Sequence, residues 1–399
     1  MSSNEILFLM LFSLVFYTYV GYGLLIALLV AIKRLLFGRA GSKAGEDFEK
    51  EAGAFWPEAT LLIAAYNEEA VIDKKAENTK ALKAPAGKLK VVWVTDGSTD
   101  STNDLLAKYP EFKVLYQPAR QGKTAAINRA MTLIDTPLVI FTDANTMLNE
   151  EAVEQIVACF SDPKVGCVAG EKRVHAAGSS STSGEGEGLY WRYESTLKRL
   201  DSELWSTMGA AGELYAIRSN LFEPIKSDTL LDDFVLSMEI VAKGYRIEYC
   251  KNAYAIESGS HNMREERKRK VRIAAGGIQS VWRLRKLMNP FRYPFTSLMF
   301  ISHRALRWSI TPVSLFALLP LNLLIVIWEG GQIYNLLLLL QILFYASALT
   351  GRALDNRGRP AGVFNIPYYF LFMNINVIAG FFYLYRKRGD GTWERAKRR

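Results

Sequence analysis

The sequence predicts an α/β domain, a parallel sheet with helices on both faces, set between α-helical membrane-spanning segments. Residues 6–32 carry no charge, and about 20 consecutive apolar residues suffice to cross a bilayer core. Three further apolar stretches, 309–328, 332–350 and 362–385, close the chain. Between them, short β-rich runs alternate with helical patterns, the signature of a sheet whose strands are joined by crossover helices.

Residues 1–33 form the first element. The start, MSSNE, is not basic, and Lys33, Arg34, Arg39 and Lys43 follow the apolar run. That order argues for a spanning helix over a cleaved signal peptide and places the chain beyond residue 33 in the cytoplasm. Residues 34–56 read as a linker. The α/β domain occupies 57–262, with strands at ATLLIAAY, KLKVVWVT, FKVLYQ, PLVIFTD and KVGCVAG and helices over 69–83, 100–109, 123–134 and 149–160. Asn67, Asp96 and Asp143 fall at three strand ends, where parallel sheets bind their ligands. The run HAAGSSSTSGEGEG reads as a flexible loop. Residues 263–308 are basic and amphipathic, as expected of helices lying in the interfacial plane. About three spanning helices fill 309–385, where Trp308, Tyr345, Tyr368 and Tyr369 read as an interfacial aromatic belt. With four spans the basic tail 386–399 emerges outside, against the positive-inside tendency, so its side stays open.

Composition narrows the function. Mean hydropathy near zero averages apolar ends with a polar middle large enough for its own core. The net charge of +9 concentrates in 264–272 and the tail, a pattern that attracts anionic headgroups or phosphates. It accompanies no nucleic-acid-binding module, which argues against nucleic acid as a partner. Cys159, Cys167 and Cys250 form neither a disulfide framework nor a zinc site. His175, His261 and His303 are dispersed and define no metal cluster.

The ordered motifs AAYNEE (64–69), TDGSTD (95–100), RQGKTAAIN (120–128), TDAN (142–145), LDD (231–233) and R-x-x-R (269–272) resemble the inverting family 2 glycosyltransferases. Within that family the chain is similar to the membrane-embedded synthases of poly-N-acetylglucosamine, hyaluronan, chitin and cellulose, over about 57–290 and the flanking spans. The resemblance implies a GT-A (Rossmann-like) domain, a UDP-sugar donor and a glycan or lipid-linked acceptor. It further implies Mg²⁺ or Mn²⁺ and a multi-pass protein of the bacterial inner (plasma) membrane with its catalytic domain in the cytoplasm. It leaves room for export or synthesis partner subunits.

The same resemblance assigns roles, and chemistry supports them. A departing diphosphate is neutralised most directly by a divalent cation and basic groups. Asp143 is the expected metal ligand, with Asn145 standing where the family has a second acid. Asp96 is expected on the uridine, Lys123 on the diphosphate, and Tyr66, Asn67 and Glu68 around the nucleotide pocket. Inverting transfer needs one base for the acceptor hydroxyl; Asp233 fills that position, with Asp232, Gly212 and Glu213 on the acceptor side. Arg272, aided by Arg269, matches the arginine of the synthases' Gln-x-x-Arg-Trp, since guanidinium pairs bidentately with phosphate. Ile273 replaces the tryptophan that stacks on the acceptor sugar. That substitution leaves open a synthase using another aromatic, an enzyme adding one sugar to a polyprenyl-linked acceptor, or a non-catalytic membrane subunit of a synthesis or export complex.

Overall fold

The computed structural model describes residues 1–38, 56–175, 182–260 and 262–386. The linker beyond Gly38, the Gly/Ser run over 176–181, His261 and the basic tail from 387 lie outside the described residues.

The domain is one eight-stranded sheet: β1 (Ala59–Ala65), β2 (Leu89–Thr95), β3 (Lys113–Leu115), β4 (Leu138–Asp143), β5 (Met147–Leu148), β6 (Val165–His175), β7 (Leu214–Arg218) and β8 (Arg246–Ser258), in the order β3-β2-β1-β4-β7-β6-β8-β5. The half built from β3, β2, β1 and β4 is parallel, as expected. The other half is mixed, which corrects the expectation of an all-parallel sheet: β7 runs antiparallel to both β4 and β6, and β5 runs antiparallel to β8. The connection explains it. After the helix Thr182–Leu204 the chain returns at the carboxyl end of β4, with Leu214 opposite Thr142, so β7 enters the sheet running backwards. This reversal carries Gly212 and Glu213 to the rim beside Asp143.

Apolar residues cover both faces of the sheet. One layer includes Trp93, Ile140, Ile156 and Phe160; the other includes Phe141, Tyr215, Phe234, Met299 and Phe300. Tyr22, Ile26 and Val30 of the first apolar helix join that second layer. Their i, i+4, i+8 spacing gives one helical face, and burying each such side chain contributes about 1.5–3 kcal/mol. Lys33 Nζ then donates to the terminal carbonyls of Glu203 and Leu204, at 2.6 and 2.9 Å, and Arg34 pairs with Glu203 at 2.5 Å. The end of the first apolar helix is thereby fastened to the domain.

Four helices are long and apolar enough to cross a membrane: Ser3–Phe37, Ile310–Trp328, Gln332–Asn356 and Gly362–Arg386. The Gly/Ser-rich loop expected through residue 188 ends early, because helix Thr182–Leu204 already includes 182–188. The basic helix Met263–Arg283 has one face buried inside the protein. Arg264 and Arg267 are exposed, whereas Glu266, Arg269, Lys270, Ala274 and Ala275 are buried. Small residues let it pack closely on both sides: a Cβ on Gly380 of the last apolar helix would stand 2.7 Å from that of Ala274, and one on Gly276 would stand 2.6 Å from Leu231. It is a wedge between the sheet domain and the last apolar helix.

Candidate active site

The parallel half of the sheet sets out the first part of the site. At the end of β1, Asn67 takes a left-handed backbone, φ 53°, that turns the chain toward the loop after β2. Asn67 N–H donates to Ser98 Oγ at 3.1 Å, Thr99 N–H donates to Asn67 Oδ1 at 2.8 Å and Glu68 N–H donates to Thr102 Oγ1 at 2.8 Å. Tyr66 stacks under the Arg120 guanidinium, 4.1 Å from its ring centroid. The expected nucleotide loop is thus stitched to its neighbour strand's loop. Asp96 is only 4% exposed; its carboxylate accepts N–H bonds from Gln121 at 3.0 Å and Gly122 at 2.6 Å. Gly97 makes this approach possible, since at φ +67° a Cβ there would lie 2.6 Å from Arg120 N. Asp96 therefore holds the 120–122 loop, and with it the start of helix Lys123–Met131.

Lys123, the first residue of that helix, reaches Asp143 at the end of β4, Nζ to Oδ1 2.7 Å. They line a cavity of about 230 Å³ together with Gly212, Glu213, Asp232, Asp233, Arg269 and Arg272. Burial would weaken the Lys123 ammonium, but Asp143, Asp232 and Asp233 outweigh it and hold its pKa above the ordinary lysine value. Asp232 and Asp233 open the helix Asp232–Ala242, where the helix dipole favours negative charge. Asp233 Oδ1 accepts the Phe234 N–H at 2.8 Å, and a Cβ added to Gly212 would lie 3.2 Å from Asp233 Oδ2 and 3.4 Å from Lys123 Nζ. Burial first, then the charge of Asp232, push the Asp233 carboxyl up to about 7, against the opposing pull of Lys123. Among the described residues Asp232 Oδ2 is buried with no hydrogen-bond partner, and so is Arg272 Nε. Asn145 lies half-buried in the turn after Asp143.

Two expected site residues have their charges taken up inside the protein. Arg269 Nη1 pairs with Glu187 Oε1 at 2.6 Å and lies 3.6 Å from Glu266, while its Nη2 lies 3.6 Å from Glu213. Glu213 pairs with Lys172 at 2.5 Å, and Lys172 also bonds Glu257. Burial would raise the Glu213 carboxyl, but Lys172 and Arg269 hold it well below the usual range. Tyr369 of the last apolar helix donates to Glu266 at 2.8 Å, and Trp308 packs edge-on to Phe234, ring centroids 5.1 Å apart. These two aromatics face polar and cavity partners, contrary to an interfacial belt, because helix Met263–Arg283 draws them inward: a Cβ on Gly277 would lie 2.4 Å from the Trp308 ring.

The sequence reading missed several contributors. Lys75, fully buried on helix Ile72–Lys80, donates to the Thr146 carbonyl at 2.6 Å beneath the Asp143 turn, and burial lowers its pKa to about 7 despite the nearby Asp143 charge. Glu194 and Lys198, on helix Thr182–Leu204, and Arg304 line the cavity as well. Arg304 pairs with Glu194 at 2.6 Å, and His303 bridges Asp201 and Glu194 at 2.5 and 3.3 Å. Four cavity groups, Lys123, Asp143, Asp232 and Asp233, sit on one strand end and two helix starts, at the carboxyl edge where a GT-A domain keeps its site.

A sheet of this order is the GT-A fold, here joined to apolar helices at both ends. Across 96% of this chain and 99% of the other, it superposes with a TM-score of 0.73 at 20% identity on the mannosyltransferase PcManGT from Pyrobaculum calidifontis, solved in complex with GDP-Man and Mn²⁺. Residues 60–225 match the family described as Glycosyl transferase family 2. It is 26% identical over 258 residues to a poly-beta-1,6-N-acetyl-D-glucosamine synthase of Staphylococcus aureus, the match spanning 62% of each chain. It is 27% identical over 219 residues to a beta-monoglucosyldiacylglycerol synthase of Nostoc sp., covering 50% of this chain and 45% of that one. The chain thus spans less than two thirds of the length of these curated relatives.

Proposed function

We propose that this glycosyltransferase takes a sugar from a UDP-sugar and adds it, with inversion, to a growing β-linked exopolysaccharide at the cytoplasmic face of a bacterial inner membrane. The observation that carries this reading is Asp233: a carboxyl raised to about 7, beside Gly212, in the cavity that Lys123, Asp143 and Arg272 share. A general base works best when its pKa lies near the operating pH. Asp233 accepts the proton of the acceptor hydroxyl as that oxygen attacks the anomeric carbon and the UDP oxygen departs. Lys123 and Arg272 stabilise the charge that develops on the diphosphate, and Asp96 keeps Lys123 in place through the 120–122 loop.

The residues present fit a divalent cation. Lys123 already brings a positive charge to Asp143 Oδ1, and Asp232 Oδ2 is buried without a partner. Among the described residues no group of three or more His, Cys, Asp or Glu is placed to hold a metal; Mg²⁺ or Mn²⁺ on one or two protein oxygens would need substrate phosphates to complete its shell. Asp143 and Asn145 would hold it, and it would neutralise the leaving diphosphate.

A second reading, transfer of a single sugar to a lipid-linked acceptor, is favoured by Ile273 in the stacking position and by Met373 and Val377, from the last apolar helix, in the cavity wall. UDP release by the detergent-purified chain, measured over a panel of UDP-sugars with Mg²⁺ or Mn²⁺ and with product sizing, tests both. A growing polymer supports the synthase, one addition to a lipid acceptor supports the second reading, and no release with any donor overturns both.

A further inference from the structure

Around the cavity, most buried cations have an internal carboxylate. Lys172 has Glu213 and Glu257, Arg269 has Glu187, Lys270 lies 3.3 Å from Glu266, and Arg304 has Glu194. Two cations lining it have no ion pair among the described residues. Arg272 is one, and the proposed reaction gives it the diphosphate. Lys198 is the other, and the reaction as proposed does not use it.

Lys198 is 4% exposed and lines the cavity. Its ammonium has no hydrogen bond among the described residues; it lies 5.5 Å from the centroid of the Trp191 ring. Burial and the Arg304 charge lower its pKa, while Glu194, Glu213 and Asp233 favour its charged form. An ammonium removed from water without a partner is destabilised, so an anion entering the cavity gains more there than at a solvated lysine. The same cavity is walled by Met373 and Val377, one turn apart on a helix apolar enough to lie in a bilayer, and by Trp308 ahead of another. The cavity therefore combines a cation that has no ion pair among the described residues with apolar surface contributed by helices apolar enough to lie in a bilayer.

We infer that Lys198 anchors an acceptor subsite, and that the acceptor held there bears an anionic group, a phosphate ester or a carboxylate, near the hydroxyl presented to Asp233. This rests on the reading of Asp233 as the base of the same cavity. A phosphate would come from a lipid-linked acceptor lying along Met373 and Val377; a carboxylate would come from an acidic saccharide.

Equilibrium binding to the full-length protein in detergent, followed by isothermal titration calorimetry, tests this with two matched pairs of probes: farnesyl phosphate against farnesol, and methyl glucuronide against methyl glucoside. The wild type binds the anionic member of one pair about tenfold more tightly than its neutral partner, and the pair that discriminates names the source of the charge. Lys198→Met brings that ratio close to one, and Lys198→Arg restores it. Equal binding of charged and neutral probes in both pairs overturns the proposal, as does a ratio that survives in Lys198→Met. The wild-type ratio decides by itself where Lys198→Met does not fold. The assay needs neither donor nor turnover, so an inactive transferase and a charge-blind cavity give separate results.

Discussion

The donor rim and the helical wall of the cavity handle charge in opposite ways. On the rim, acids are held by backbone N–H groups or face open space: Asp96 grips Gln121 and Gly122, and the Lys123–Asp143 pair is partly exposed, its side chains 40% and 28% accessible. On the wall, Glu187, Glu213, Glu257 and Glu266 meet Lys172, Arg269 and Lys270 in a region almost closed to water. The rim is arranged to exchange its partners for a ligand's charges. The wall is arranged to keep its own, tying helices Thr182–Leu204 and Met263–Arg283 and the last apolar helix into one support for Asp233 and Arg272. Partly exposed pairs are individually worth little to stability, whereas removing one member of a buried pair leaves an uncompensated charge.

The sharpest way to break this contrast is Arg269→Leu. It leaves Glu187, Glu213, Glu257 and Glu266 with only Lys172 and Lys270 to offset them among the described residues and is expected to destabilise the protein by about 3–5 kcal/mol, read as a large drop in thermal unfolding temperature in detergent. An unchanged unfolding temperature would show that the wall does not depend on its ion pairs.

The pH profile comes next. Asp233 is held up to about 7, so its carboxylate, the form that accepts a proton, predominates only above that value. The kcat/KM for transfer is expected to fall about tenfold per pH unit below it. Asp232→Asn removes the like charge that helps raise Asp233 and should move this limb to lower pH; a limb that does not move would deny the coupling. A smaller effect is expected on the rim. Asp96→Ala releases the backbone N–H groups of Gln121 and Gly122 and should destabilise by about 1–3 kcal/mol, raising KM for the donor more than it lowers kcat.

The rim was legible in the sequence because its chemistry is local. Strand-end acids such as Asp96 and Asp143 announce themselves by following apolar runs, and Asp232–Asp233 by opening a helix. Strands β1 to β4 and β6 and the intervening helices fall where the alternation of patterns put them. The wall was not legible, because Lys172 and Glu257, or Arg304 and Glu194, are partners separated by 85 and 110 residues in the numbering, and no spacing rule links them. The fates of Glu213 and Arg269 follow from this: both carry motif positions, and both are claimed by distant charges. The strand β8 did carry a signal, the alternation in RIEYC, that went unused, while β7 is short and its reversed direction depends on where the preceding helix ends.

Asp233 is the proposed base that activates the acceptor. UDP release and product formation by Asp233→Asn, compared with wild type at saturating donor and pH 8, test it most directly. The account predicts a loss of transfer of at least about 100-fold, with the KM for donor kept within about threefold because Lys123, Asp143 and Arg272 are intact. Transfer at the wild-type rate by Asp233→Asn would contradict it.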